Sequence, residues 1–176
     1  TTGEGGMVVT ADRAIARKLR HFRGKGLAAN REYWHDLVGY NYRMTNICAA
    51  LGLGQLERAD GVVARKRKLA DAYRSRLSGY PLEFQAEPEG VTHSQWMVTA
   101  LTRDRTTRDA LRDHLAADGI ETRPVFHPVH TLPIYPRPGE SYPVAVDLAA
   151  RGVNFPSWPG LLDGGVDDVC ARVRSF

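Results

Sequence analysis

The residues best able to do chemistry fall in three short stretches. In GYNYRMTN, residues 39–46, Asn41 offers a neutral amide donor, Arg43 a planar charged fork, and Tyr40 and Tyr42 two hydroxyls. All four precede an expected helix N-terminus, where unsatisfied N–H groups favour a negative ligand. The stretch reads equally as a helix cap with aromatic packing. In ETRPVFHPVH, residues 121–130, Arg123, His127 and His130 gather around an expected strand end. Strand ends in α/β units are common ligand sites. Three polar residues beside two prolines also describe a rigid surface turn. The third stretch, TGEGG at residues 2–6, lets backbone N–H groups approach an anion closely. It is not a phosphate loop, because no Lys-Ser or Lys-Thr follows and a strand, Met7–Thr10, is expected next. On composition it is a turn. The sequence shows no Ser-His-Asp arrangement, no metal-ligand spacing and no close carboxylate pair suited to acid–base work.

These stretches need elements to hold them. Ala11, Ile15, Leu19 and Phe22 repeat at helical spacing, and Gly24 is a natural stop, so residues 11–23 read as a helix. Residues 24–46 have no clean period and form a loop long enough to be functional. Its four aromatics argue against disorder. Thr45 or Asn46 then caps an expected long helix over 47–79, with a stripe from Ile47 through Leu56 and Tyr73 to Leu77. Gly52, Gly54 and Gly61 interrupt it, each costing roughly 1 kcal/mol against Ala, which calls for something packed close to the backbone.

Beyond Gly79 the pattern changes. A strand is expected over 94–102. A helix over 104–118 follows, capped by Asp104, with Ala110, Leu111, His114 and Leu115 inward. A second strand runs to Pro124, a Pro-rich loop covers 127–143, and a short helix covers 144–151. GVNFPS reads as a strand, and a last helix starts near Gly165. Alternating strand and helix make this half a small α/β or α+β unit.

The composition, 43% apolar and 25% charged, is that of a soluble globular protein able to bury a core. No run is long enough to cross a bilayer and no charged-then-apolar leader is visible. Cys48 and Cys170 lie far apart among apolar residues and read as buried free thiols, a usage that fits a reducing cytoplasm. The net charge of +4 could attract an anionic partner, nucleic acid included. However, the basic runs Arg17–Lys25 and Arg65–Lys68 lack aromatic interleaving and read as solvated helix faces.

Taken together, TTGEGGMVVT, HFRGKGLAANREYWHDLVGYNYRMTNICAALGLGQLERAD and ETRPVFHPVH closely resemble the sugar aminotransferases of the DegT/StrS family. The resemblance runs over nearly the whole chain and is strongest at residues 1–60 and 121–130. It implies an α/β fold of the aspartate-aminotransferase type (fold type I) with pyridoxal 5′-phosphate as cofactor. The chain would be the C-terminal portion: residues 1–46 ending the large cofactor domain with an intersubunit loop, 47–79 a connecting helix, and 80–176 a small α/β domain. The implied reaction moves an amino group from glutamate to a nucleotide-linked 4-keto-6-deoxy sugar, in a cytoplasmic homodimer with shared active sites and no nucleic-acid or membrane partner. The family's cofactor-bearing lysine sits a few residues before the TGEGG turn, so it is expected just upstream of Thr1 and no catalytic residue is assigned in this segment. Asn41 matches the family asparagine that reaches the cofactor phosphate of the other subunit, and Arg43 accompanies it. Arg123, His127 and His130 fall where the family's small domain approaches the nucleotide-sugar. Two other readings remain: a sister sugar 3-dehydratase using pyridoxamine phosphate, in which histidine replaces the lysine, and a non-enzymatic basic α/β binding module.

Overall fold

The structure, a computed structural model, describes residues 1–135 and 140–176. The chain divides into two units, Thr1–Ala59 and Asp60–Phe176.

The first unit holds α1 (Arg13–Arg23) and α2 (Asn46–Leu56). Asp12 caps α1 by accepting from the N–H groups of Ala14 at 2.6 Å and Ile15 at 3.2 Å. Thr45, the first of the two expected caps, accepts from the Cys48 N–H at 3.3 Å at the start of α2. The strand expected at Met7–Thr10 does not form: among the described residues no strand pairs with it, and Met7, Val8 and Val9 stay exposed. The loop between the helices is ordered by its main chain. Tyr40 N–H donates to Phe22 O at 2.7 Å, Tyr42 N–H to Arg23 O at 3.2 Å and Ala28 N–H to Trp34 O at 2.8 Å. Two close approaches require glycine. Gly26 has φ +66°, and a Cβ there would lie 2.1 Å from the Leu37 carbonyl oxygen; one on Gly39 would lie 2.2 Å from the Gly26 nitrogen. Among residues 1–59 only Gly26 is buried.

The helix expected over 47–79 is two helices. It breaks at Glu57–Arg58, where the Arg58 N–H bonds Gln55 O at 3.1 Å in a tightened turn, and α3 (Ala59–Arg76) follows. The glycines lower helix propensity on both sides of the break. Only Gly52 has the expected close neighbour, the Thr2 methyl at 3.0 Å from a built Cβ; nothing lies within 4 Å of Gly54 or Gly61. Cys48 is half-buried rather than buried, because the apolar stripe of α2 stays exposed at Ile47, Leu51 and Leu56.

The second unit carries β1 (Glu83–Phe84), β2 (Val98–Leu101), α4 (Arg105–Ala117), β3 (Arg123–Pro124), α5 (Pro143–Arg151), β4 (Gly152–Phe155) and α6 (Asp163–Arg174). The sheet order is β1-β2-β4-β3 and every pairing is antiparallel. Within the mixed α/β class this unit is therefore of the α+β kind. The short β1 goes unseen in the sequence. The Pro-rich loop expected over 127–143 contains a 3-10 turn, Val129–Thr131, and its residues 136–139 lie outside the described residues.

Leu69 and Tyr73 of α3, Leu77 just past its end, Leu111 and Leu115 of α4, and Val166 and Val173 of α6 meet Val98, Ala100, Val153 and Phe155 of the sheet in one core. Each large apolar side chain so buried contributes roughly 1.5–3 kcal/mol. Tyr73 stacks on Phe155 with centroids 5.4 Å apart, and its hydroxyl donates to Pro156 O at 2.8 Å. On α4, Ala110 is exposed and Arg108 is buried in its stead, donating to Ala149 O at 3.2 Å. His114 is half-buried against Phe176.

Candidate functional site

In the first unit the glycine-locked loop carries Asn41 and Arg43 to the start of α2. Asn41 forms an isolated β-bridge with Gly24, at the end of α1. Tyr40 and Tyr42 flank it with stacked rings, centroids 5.2 Å apart and planes within 10°. The stacked rings lie on the outside of the segment, as both tyrosines are exposed. His21 Nε2, at 2.7 Å from the Asp36 carboxylate, ties the far side of the loop to α1. Arg31 lies over the Trp34 ring at 3.7 Å from its centroid. Asn41 and Arg43 are exposed, and among the described residues neither side chain has a hydrogen-bond or ion-pair partner. An amide and a guanidinium with free donors, close to a helix start, suit an anionic oxygen cluster. The TGEGG turn leads into the same unit, where the Gln55 amide of α2 donates to the Thr1 carbonyl.

In the second unit the three residues of the ETRPVFHPVH stretch do different things. Arg123, on β3, is held by Glu121, with Nε and Nη2 each 3.1 Å from one carboxylate oxygen. It lines an open cleft of about 500 Å³ with Glu121, Asn154, Phe155, Trp158 and Leu161. His130 sits in the 3-10 turn against the Tyr142 ring, centroids 4.7 Å apart. His127 is exposed, with no side-chain partner among the described residues. Neither histidine lines the Arg123 cleft. Among the described residues no three His, Cys, Asp or Glu side chains are placed to hold a metal ion, and no helix is long and apolar enough to cross a membrane.

The sequence reading missed Lys66. The Arg65–Lys68 run reads as a solvated face, yet Lys66 is buried, Arg65 and Arg67 are half-buried, and Lys68 alone is exposed. The signal was present: Lys66, Leu69, Ala70, Tyr73 and Leu77 share one helical face. Lys66 lines a second cleft of about 540 Å³ with Trp96, Ser157 and Trp158, and burial pushes its ammonium below the usual lysine range.

Residues 1–174 match the model of the DegT/DnrJ/EryC1/StrS aminotransferase family. The chain is 51% identical over 176 residues to a GDP-perosamine synthase of Escherichia coli O157:H7, covering all of this chain and 48% of that protein. It is 43% identical to a GDP-perosamine synthase of Vibrio cholerae, covering 100% of this chain and 49% of the relative. The aminotransferase TlmJ from Streptoalloteichus hindustanus superposes with a TM-score of 0.90 at 29% identity, over 99% of this chain and 48% of that one. The chain thus spans about half the length of the curated relatives it matches. With the motifs, the mixed α/β fold and a family match running almost end to end, the chain belongs to the DegT/DnrJ/EryC1/StrS aminotransferase family.

Proposed function

We propose that this chain serves a pyridoxal-phosphate-dependent aminotransferase that moves an amino group from glutamate to a nucleotide-linked 4-keto-6-deoxy sugar, as in GDP-perosamine formation. The reading rests on one observation above others. In a chain 51% identical to a GDP-perosamine synthase, Asn41 and Arg43 hold unengaged donors on a loop fixed by its own backbone.

The residues present fit the cofactor. Its phosphate needs hydrogen-bond donors and positive charge without a competing carboxylate, and Asn41 and Arg43 supply both. The chemistry pyridoxal 5′-phosphate supplies when bound is an electron sink and a temporary amino carrier. The chain's own part is to bind and orient. Asn41 would donate its amide N–H to a phosphate oxygen, and a neutral amide costs less to bury than a charged group. Arg43 balances the phosphate charge. Arg123, His127 and His130 contact the nucleotide-sugar. In the homodimer we infer, Asn41 of each subunit serves the partner's cofactor. The near absence of buried side chains among residues 1–59 supports a partner surface there.

The test uses the whole protein carrying this chain. Pyridoxal phosphate should give it a visible absorbance that glutamate bleaches, and Asn41→Ala should weaken cofactor retention about tenfold, the scale of one charge-assisted hydrogen bond. A cofactor absorbance indifferent to every amino donor would sink the aminotransferase reading. Retention unchanged in both Asn41→Ala and Arg43→Ala would sink the phosphate assignment.

A further inference from the structure

Lys66 is a buried cation that lacks a carboxylate. Of the four basic residues at 65–68, Arg65 and Lys68 pair with Asp163 at 3.2 and 3.4 Å, and Arg67 pairs with Glu87 at 3.3 Å. Lys66, 8% exposed, has no such partner among the described residues. Its ammonium donates to the carbonyl oxygen of Ser157 and, at 3.1 Å, to the Ser157 hydroxyl, both neutral groups. Buried charges are ordinarily paired, and an ammonium carries three donors. The cleft it lines falls wholly within residues 60–176 and has no acidic residue in its wall. Its volume, about 540 Å³, is that of a small-molecule site. Trp96 and Trp158 form its sides and remain 70% and 58% exposed. Trp96 is steadied by Phe126, stacked at 6.3 Å. Two indole side chains and a buried cation lining one cleft suit a ring that carries a negative group.

We propose that this cleft binds a small organic anion with a planar ring, its charge paired with Lys66 and its ring lying against Trp96 and Trp158. The proposal stands independently of the aminotransferase reading. The mate missing from Lys66 is supplied by the ligand, and the apolar rings exclude water from the pair.

The probe is phenyl phosphate, titrated into the chain by calorimetry and by NMR of the tryptophan indole N–H signals. Saturable binding should shift the Trp96 and Trp158 signals and leave Trp34 in place. Inorganic phosphate and benzyl alcohol should each bind about tenfold more weakly, since each lacks one half of the match. Lys66→Met should weaken phenyl phosphate about tenfold or more, and Lys66→Arg should retain binding. If Lys66→Met does not fold, Trp96→Ala decides, because Trp96 is exposed and outside the core. Full affinity in that variant overturns the proposal. So do full affinity in a folded Lys66→Met, shifts at Trp34 alone, inorganic phosphate binding as tightly as the ester, or no saturable binding.

Discussion

The Thr99 hydroxyl donates to the Asn154 amide oxygen at 2.5 Å, joining β2 to β4, and the Asn154 NH₂ donates onward to Pro124 O at 3.1 Å on β3. One 7%-exposed side chain thus clasps three strands at the point where Pro124 has no N–H to give. Removing it leaves the half-buried Thr99 hydroxyl without its acceptor and the Pro124 carbonyl without this donor. Asn154→Ala should cost about 1–3 kcal/mol in urea unfolding, and a cycle with Thr99→Val should show a coupling of about 1 kcal/mol. A coupling near zero would mean that the clasp adds nothing to the sheet.

Asp104 predicts an acid-sensitive helix. The backbone N–H of Thr107 and then its hydroxyl, with Arg103, hold the Asp104 carboxyl down at about 2, below its ordinary 3.8. A group lowered on folding adds stability above its unfolded value and loses it as pH falls through its folded value. The stability gap between wild type and Asp104→Ala should therefore be full near neutral pH, shrink below about pH 4 and close near pH 2. Circular dichroism melts across that range measure it; a gap constant with pH counts against the charged cap.

Two glycines should respond in opposite directions. Gly26→Ala forces a Cβ to 2.1 Å from the Leu37 carbonyl at φ +66°, so the loop should lose order at a cost of about 1–3 kcal/mol. Hydrogen exchange at the Tyr40 and Tyr42 amides reads this directly, since both are bonded back to α1. Gly54→Ala meets nothing within 4 Å and should stabilise α2 by about 1 kcal/mol. Equal protection in wild type and Gly26→Ala would contradict the close approach.

The two thiols should differ in alkylation. Burial, the leading cause, pushes the Cys170 thiol up to about 11, and its residue is buried in the core of the second unit. Cys48 is half-buried on α2. Iodoacetamide at neutral pH should modify Cys48 first, with Cys170 protected until denaturant is added. Peptide mass spectrometry distinguishes the two; equal native rates would place Cys170 at the surface.

Where local chemistry decided the outcome, the sequence was readable. Thr45 and Asp104 cap helices as their types require, and GVNF pairs as a strand because its neighbours cover both sides. Where tertiary contacts decided, it was not. Met7–Thr10 has strand residues but no strand partner among the described residues, and one expected helix is broken at Glu57–Arg58. Glu83–Phe84 is too short to carry a period and exists only through its pairing with β2. Asn41 and Arg43 stand exposed before α2, where their place in the sequence put them. Lys66 was hidden by its charged neighbours, since a run of like charge masks the one member that turns inward. Arg123, His127 and His130 looked like one cluster in sequence, yet only Arg123 reaches the cleft.

The sheet ends deliberately on weak strands. β1 and β3 are two residues each, and Pro124 removes a donor from β3. Neither edge offers a ladder long enough to template another strand, so the fold is guarded against edge-on polymerisation. Assembly of this unit by strand addition is therefore disfavoured at both edges, and surface substitutions that leave these short strands in place should keep it so.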